Sequence, residues 1–167
     1  MRRQMNSEEL EALYSAVGKC IWHIQYLEDV LHTYLAMKVD LRDQAPVSEE
    51  KAYEILSKHR RANLGTALGT AEKHNVLPST LLSDLRIMKE ERDWLVHRSM
   101  HQDGDNLYTD HGRTMVFQRI EHLMLSSISL KKALILEVDK FCESRGISTA
   151  KAAALAKQQV RRRSGEA

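Results

Sequence analysis

The feature that most constrains the fold is a long run of apolar residues spaced three or four apart near the amino end. The run comprises Leu10, Leu13, Val17, Ile21, Ile24, Leu27, Leu31 and Leu35. This spacing is the period of one face of an α-helix, and a strand does not produce it. It predicts one amphipathic helix from Ser7 to about Val39, which would be about 45 Å long at the helical rise per residue.

A second pattern of the same kind begins at Thr114. Its apolar positions are Val116, Ile120, Leu123, Leu130, Leu134, Val138 and Phe141. Shorter helical patterns lie between the two, beginning at Ser48, at Leu64 and at Ser79, and the last of them is predicted to end near His101. The polar stretch 102–113 contains two glycines and is predicted to be a loop with a short hairpin around Tyr108.

Few residues in this chain favour tight turns. The sequence has 7 glycines and 2 prolines in 167 residues. Sandwiches and barrels need a turn every 8–12 residues or so, and this composition therefore argues against both. The predicted fold is an all-α, up-and-down bundle with two long antiparallel helices and shorter helices between them. Residues 1–147 would form this bundle, and residues 148–167 an Ala/Arg-rich tail that is helical or flexible.

Composition places weak limits on the function. The formal net charge is +2, which is too small to indicate a nucleic-acid partner by itself. The sequence shows no secretory signal and no apolar run long enough to span a bilayer, so a cytoplasmic protein without membrane contact is expected. His23, Glu28 and His32 do not have the spacing of a known metal motif. No metal and no cofactor are therefore predicted.

The most unusual placement in the sequence is that of Arg92. On an ideal helix it falls in the middle of the apolar stripe formed by Leu81, Leu85, Met88 and Val96. A permanently charged guanidinium on an apolar face is costly unless it is paired or lines a cleft. Arg92 is therefore either a structural ion pair, with Glu28 or Asp29 of the first helix, or part of a site.

His97 lies close to Arg92 in the sequence. Asp93 is four residues before His97, a spacing at which a carboxylate can contact an imidazole and fix its tautomer. Arg92 and His97 are five apart and would lie about 140° from each other on an ideal helix. They share one side only if the helix bends, ends or meets a second copy, which favours a site at a dimer cleft. Alternatively, His97 only balances a helix dipole.

The segment Arg92-Asp93-Trp94-Leu95-Val96-His97 resembles the R-x4-6-H motif of the HEPN superfamily. HEPN domains are small helical bundles, and many are metal-independent ribonucleases that act as homodimers, often as toxins or antiviral effectors. A polar residue directly after the arginine is usual in that motif, and Asp93 occupies this position. HEPN toxins paired with nucleotidyltransferases carry a tyrosine two residues after the histidine, where this chain has Ser99.

The resemblance implies a mechanism and partners. His97 would act as general base or acid on the ribose 2′-OH and the leaving oxygen, Arg92 would hold the scissile phosphate, and Asp93 would orient His97. Arg98 and His101 would add phosphate contacts. The expected partners are RNA, a second copy of the chain, and a cognate antitoxin or other partner protein. The competing hypothesis is a non-catalytic helical interaction module, a protein- or nucleic-acid-binding subunit of a defence or regulatory complex.

Overall fold

The computed structural model describes residues 2–42 and 47–148, together with residues 150, 154 and 161. Within these residues the chain is all-α and has no strand. The helices are α1 (Ser7–Leu35), α2 (Glu49–Arg60), α3 (Leu64–Lys73), α4 (Ser79–Asp93), α5 (Ser99–Asp103) and α6 (Asp110–Ser144). The tail predicted at 148–167 lies, apart from residues 148, 150, 154 and 161, outside the described residues.

Three short helical turns of other kinds interrupt or join these helices. A first π turn (Ala36–Asp40) extends α1, and a second π turn (Trp94–Arg98) follows α4. A 3-10 turn (Gly104–Tyr108) connects α5 to α6. The loop and hairpin predicted for residues 102–113 are therefore wrong, because this stretch holds the end of α5, the 3-10 turn and the first residues of α6. α6 begins at Asp110, four residues before the predicted start.

The beginning of α1 is held by a reciprocal cap. The Asn6 side chain accepts a hydrogen bond from the backbone N–H of Glu9, and the Glu9 carboxylate accepts one from the backbone N–H of Asn6. Arg3 donates two hydrogen bonds to the same carboxylate, at 2.6 and 2.5 Å. These bonds, led by those from Arg3, lower the pKa of Glu9 to about 2. Asn6 can serve as the cap because it has the extended backbone that capping requires.

The two long helices run in the same direction, so the predicted antiparallel arrangement is wrong. Glu9 is 3.6 Å from Arg113, and the Lys131 ammonium is 5.4 Å from the ring of Tyr26. Both helices thus advance together from one end of the bundle to the other. The reason is the connection between them. Because α4, α5 and the turns around them return the chain along the bundle once, α6 begins beside the start of α1.

The core lies between α1, α3, α4 and α6. Its fully buried members include Leu27, Leu31, Leu85, Leu123 and Leu134. Leu27 and Leu31 are four residues apart and Leu123 and Leu134 eleven apart, and both spacings put the pair on one face of its helix. α4 is antiparallel to α6, as Glu91 pairs with Arg119 and Met88 lies with Leu123 and Leu130 along one groove. At the carboxyl end of α4, Arg92 reaches Glu28 in the carboxyl-terminal half of α1.

No helix of the described chain combines the length and apolar character needed to cross a bilayer.

Candidate functional site

The candidate site lies at the junction of α4 and the second π turn. At this turn the backbone N–H of Ser99 donates to the carbonyl of Trp94, a bond across five residues where an α-helix has four. Trp94 and Leu95 are both buried. Val96 was predicted to continue the apolar stripe, but its side chain is 46% exposed. The prediction was wrong: Leu95, and not Val96, is buried at this turn.

Trp94 anchors the turn to the rest of the bundle. Its indole Nε1–H donates to Asp103 Oδ2 at 2.7 Å, and the Arg119 guanidinium lies 3.7 Å from the ring centroid. Arg119 also donates two hydrogen bonds to Glu91, at 2.7 and 2.9 Å, and these bonds are the main reason why the pKa of Glu91 is lowered. The Trp94 side chain is 1% exposed within its own bundle.

Arg92 faces α1, but its side chain is not fully buried in the core. Its Nε atom is 3.6 Å from Glu28 Oε1, and its NH1 group donates to Asp93 Oδ1 at 3.1 Å. The side chain is 27% exposed. The ion pair with Glu28, one of the two explanations that the sequence left open, is therefore present within the chain.

The buried carboxyl group of Glu28 is only weakly stabilised by its surroundings. Its Oε1 atom is buried and has no hydrogen-bond partner within the described part of the chain. Burial raises the pKa of Glu28, against the opposite effect of Arg92. A carboxylate in this state gains little from its surroundings beyond the attraction of the guanidinium. Arg92 is therefore paired with Glu28 by charge but is not fixed to it by a hydrogen bond.

Asp93 contacts Lys89 and Arg92 rather than His97. Its Oδ2 atom accepts a hydrogen bond from the Lys89 ammonium at 2.6 Å, four residues earlier on α4. This bond is the largest cause of the lowered pKa of Asp93, followed by that from Arg92. No hydrogen bond or ion pair joins Asp93 to His97, both of which are described. The predicted Asp93–His97 contact is therefore absent in the single chain, because Lys89 competes for the same carboxylate from the other direction along the helix.

The other predicted site residues are on the surface. His97 and His101 are exposed. Arg98 is exposed as well, but its guanidinium donates to the Glu90 backbone carbonyl at 2.9 Å and lies 3.7 Å from the Glu90 carboxylate. The single chain thus brings Arg92 and Asp93 together and leaves His97, Arg98 and His101 without contact to them.

The second π turn changes the angle between Arg92 and His97. A π turn takes up one extra residue, so the phase of a helix falls back by about 100° once the turn is complete. Because His97 lies inside this turn, its direction around the helix axis shifts by part of that angle. The separation of about 140° on an ideal helix is thereby reduced, and His97 moves towards the side of Arg92.

Sequence reasoning did not assign roles to Lys89 or Arg119. The spacing of Lys89 and Asp93 is a recognisable i, i+4 signal. No local signal exists for Arg119, because it reaches Glu91 and Trp94 from a different helix. Among the described residues, no group of three or more His, Cys, Asp or Glu side chains is arranged to hold a metal ion. Comparisons with protein-family models, curated proteins and solved structures found no match to this chain.

Proposed function

We propose that this protein is a metal-independent endoribonuclease of HEPN type, which cuts RNA in a cleft between two copies of the chain. The observation that carries the proposal is the π turn at Trp94–Arg98. π turns of this kind are frequent at functional sites. Here the turn overlaps the last four residues of the motif, Trp94 to His97, and reduces the angle that separates its arginine from its histidine.

The residues have the chemistry that RNA cleavage requires. The exposed imidazole of His97 can remove the proton from a ribose 2′-OH or donate one to the leaving 5′ oxygen, as a general base or a general acid does. Arg92 can bind the scissile phosphate and stabilise the charge that develops in the transition state. The product would be a 2′,3′-cyclic phosphate. DNA lacks the 2′-OH and would not be cut.

Asp93 and Glu28 would affect how the Arg92 guanidinium is positioned and how it binds a phosphate. Asp93 accepts a hydrogen bond from the guanidinium and would position it, in place of the role towards His97 that the resemblance implies. Glu28 competes with a phosphate for the same charge. Its nearer oxygen lies 3.6 Å from the guanidinium without a hydrogen bond, so a phosphate would have to bind Arg92 beside this carboxylate.

A second copy would complete the cleft. Val96 and Met100 are apolar and lie on either side of His97 in the sequence, with 46% and 80% of their surfaces exposed. Apolar side chains beside a polar site are typical of a protein–protein contact. Covering them with the same surface of another chain would bring the two motifs together. The dimer thus explains why the site is divided between residues that do not contact each other in one chain.

Replacing Val96 with aspartate is expected to weaken the dimer by about 10- to 100-fold, since a buried charge would replace an apolar contact. Analytical ultracentrifugation over a concentration series measures the dissociation constant. Ile87→Asp is the matched control, because Ile87 is also exposed on α4, at 63%, but lies away from the motif. Equal dissociation constants for the two variants would contradict the proposed interface.

The experiment that tests the function is incubation of the purified protein with single-stranded RNA in the presence of a metal chelator. The expected result is cleavage of RNA into fragments that end in a cyclic phosphate, while DNA of the same sequence stays intact. The same activity would slow growth when the protein is expressed in a bacterium, as for a toxin or antiviral effector, unless a partner protein restrains it. Intact RNA and unchanged growth would together refute the nuclease proposal.

A non-catalytic interaction module is the second candidate function, and the ion pair between Arg92 and Glu28 favours it. In that case Arg92 has a structural role, and the exposed apolar residues bind a partner protein in a defence or regulatory complex.

Arg92→Ala separates the two functions. If the role of Arg92 is structural, the free energy of unfolding is expected to fall by about 1–3 kcal/mol, because Glu28 is left without its partner. If Arg92 belongs to the active site, cleavage is lost while the fold keeps most of its stability. Urea denaturation and the cleavage assay are performed on the same preparation. Arg86→Ala, which removes an exposed ion pair with Glu72, is the control for stability.

A further inference from the structure

A cavity lies beside the second π turn, between α6 and the segment that holds α5 and the 3-10 turn. Its volume is about 590 Å³, which is within the range of pockets that bind small organic molecules. Trp94 and Asp103 line it on one side. Arg92 and His97 are not among its lining residues, so the cavity is separate from the proposed cleavage site. The α6 side is a stripe of residues three or four positions apart, which share one face of that helix: His111, Met115, Gln118 and His122.

Arg119 provides a flat surface in this cavity. Its guanidinium lies over the Trp94 ring, 3.7 Å from the centroid, so the indole covers one of its two faces. Its edge is engaged as well, because Nε and NH2 donate to Glu91 and NH1 lies 3.6 Å from Asp103 Oδ2. The side chain is nevertheless 39% exposed. The second face of the guanidinium is therefore the part that a ligand can reach, and planar rings stack on such a face.

The charges around the cavity do not favour a phosphate. Among the described residues of the lining, Arg119 and Asp103 are the ones with a fixed charge, and their charges are opposite. Glu91 already accepts two hydrogen bonds from Arg119. Asp103 accepts one from Trp94 and one from Asn106. A neutral ring suits this lining better than an anion, because burying a charge without a partner is costly.

Gln118 can recognise the edge of such a ring. Its side chain is exposed and forms no hydrogen bond with another described residue. An amide carries a donor and an acceptor side by side, which match the N6 amino group and N7 of adenine. The usual partner of guanine is an arginine or lysine, and that of cytosine is a carboxylate. Because Arg119 and Asp103 are already engaged with other side chains, adenine is the base that the lining fits best.

We infer that this cavity binds an unpaired adenine base of an RNA strand, with the ring stacked on Arg119 and its edge paired with Gln118. Proteins that recognise single-stranded RNA commonly stack its bases on aromatic or guanidinium planes and bond their edges. The inference rests on the proposed function only in that RNA is the ligand. Since Trp94 belongs both to the lining and to the six-residue motif, the cavity would select RNA sequences near the site of cleavage.

The test measures the binding of three fluorescent RNAs of about 12 nucleotides by anisotropy, a length within the usual range for single-strand sites. One probe contains uridine alone, the second has a single adenine at its centre, and the third has a guanine there. Every protein carries His97→Ala, so that the RNA is not cut. The backbone contributes equally to all probes, so the ratio of two dissociation constants reports the base. We expect the protein to bind the adenine probe about tenfold more tightly than either of the others.

Gln118→Ala and its matched control Gln102→Ala isolate the contribution of the amide. Gln102 is exposed on α5 and lies outside the lining. Gln118→Ala is expected to reduce the tenfold preference to about threefold or less, and the control is expected to keep it. Arg119→Lys retains a positive charge beside Glu91 but has no planar group, so it should bind the adenine probe about threefold to tenfold more weakly. Thermal melting followed by circular dichroism establishes that each variant is folded, and the glutamine pair suffices if Arg119→Lys is not.

The inference is overturned if the adenine probe binds no more tightly than the other two, or if Gln118→Ala and Gln102→Ala give the same preference. Its failure is distinguishable from that of the nuclease proposal, because cleavage is measured on the chain with intact His97. Cleavage of RNA without a preference for adenine in binding would overturn this inference alone. A preference for adenine that depends on Gln118, in a chain that leaves RNA uncut, would support the inference and refute the nuclease.

Discussion

Replacement of His97 with alanine is expected to reduce RNA cleavage by about 10²–10⁴-fold and to leave the fold intact. A positioned general acid or base contributes a rate factor of this size. The side chain is exposed and has no hydrogen-bond or ion-pair partner within the described part of the chain. Its removal therefore costs no packing and leaves no buried group unpaired. The initial rate of cleavage of a labelled RNA measures the effect, and urea denaturation measures stability.

His101→Ala is the matched control for this prediction. His101 is an exposed histidine four residues further along the chain, and the resemblance gives it only a phosphate contact. Its loss should raise KM more than it lowers kcat, because a contact made equally to substrate and transition state does not change the chemical step. If His97→Ala and His101→Ala cleave RNA at the wild-type rate, His97 is not the general acid or base.

Replacement of Trp94 with alanine is expected to lower the free energy of unfolding by about 3–5 kcal/mol. The indole is 1% exposed, so its removal leaves a large cavity in the core. It also deprives Asp103 of a hydrogen bond and Arg119 of the ring on which it lies. Since this network connects the second π turn to α6, the variant should also lose RNA cleavage. Urea denaturation at 25 °C followed by circular dichroism measures the stability.

Trp22→Ala is the corresponding control. Trp22 is 60% exposed on α1, where its closest aromatic contact is an edge-on arrangement with Tyr26 at 5.8 Å between centroids. Its removal should cost less than about 1 kcal/mol. Equal losses for the two variants would show that burial of Trp94 does not stabilise the turn.

The two tryptophans illustrate what local pattern cannot decide. Both fit the period of an amphipathic helix, and the sequence gives no means of ranking their burial. Trp94 is buried because α6 passes over it and supplies Arg119. Trp22 is exposed because no other described element covers that side of α1. The difference depends on residues far apart in the chain, and a helical period contains no information about them.

The sequence also could not predict which side of the helix each residue of the motif faces. On an α-helix Val96 would face the core with Met88 and Leu85, and the sequence predicts this. At the π turn, the burial of Trp94 and Leu95 in succession and the hydrogen bond from the indole N–H to Asp103 stabilise the structure. That gain exists only after α5 and α6 have packed. Arg92, in contrast, could be singled out from the sequence alone, since a guanidinium on a predicted apolar stripe is visible without knowledge of its partner.

By itself, the sequence determined that the chain is all-α, where its long helices lie, and which arginine and histidine are candidates for a site. These properties follow from the period of apolar residues, the scarcity of glycine and proline, and the spacing of charged residues, all of which are local. The tertiary structure alone decided that the two long helices are parallel and that Arg92 is paired with Glu28. These depend on the path of the chain between helices, because the free energy of packing distant segments is not encoded in any one of them.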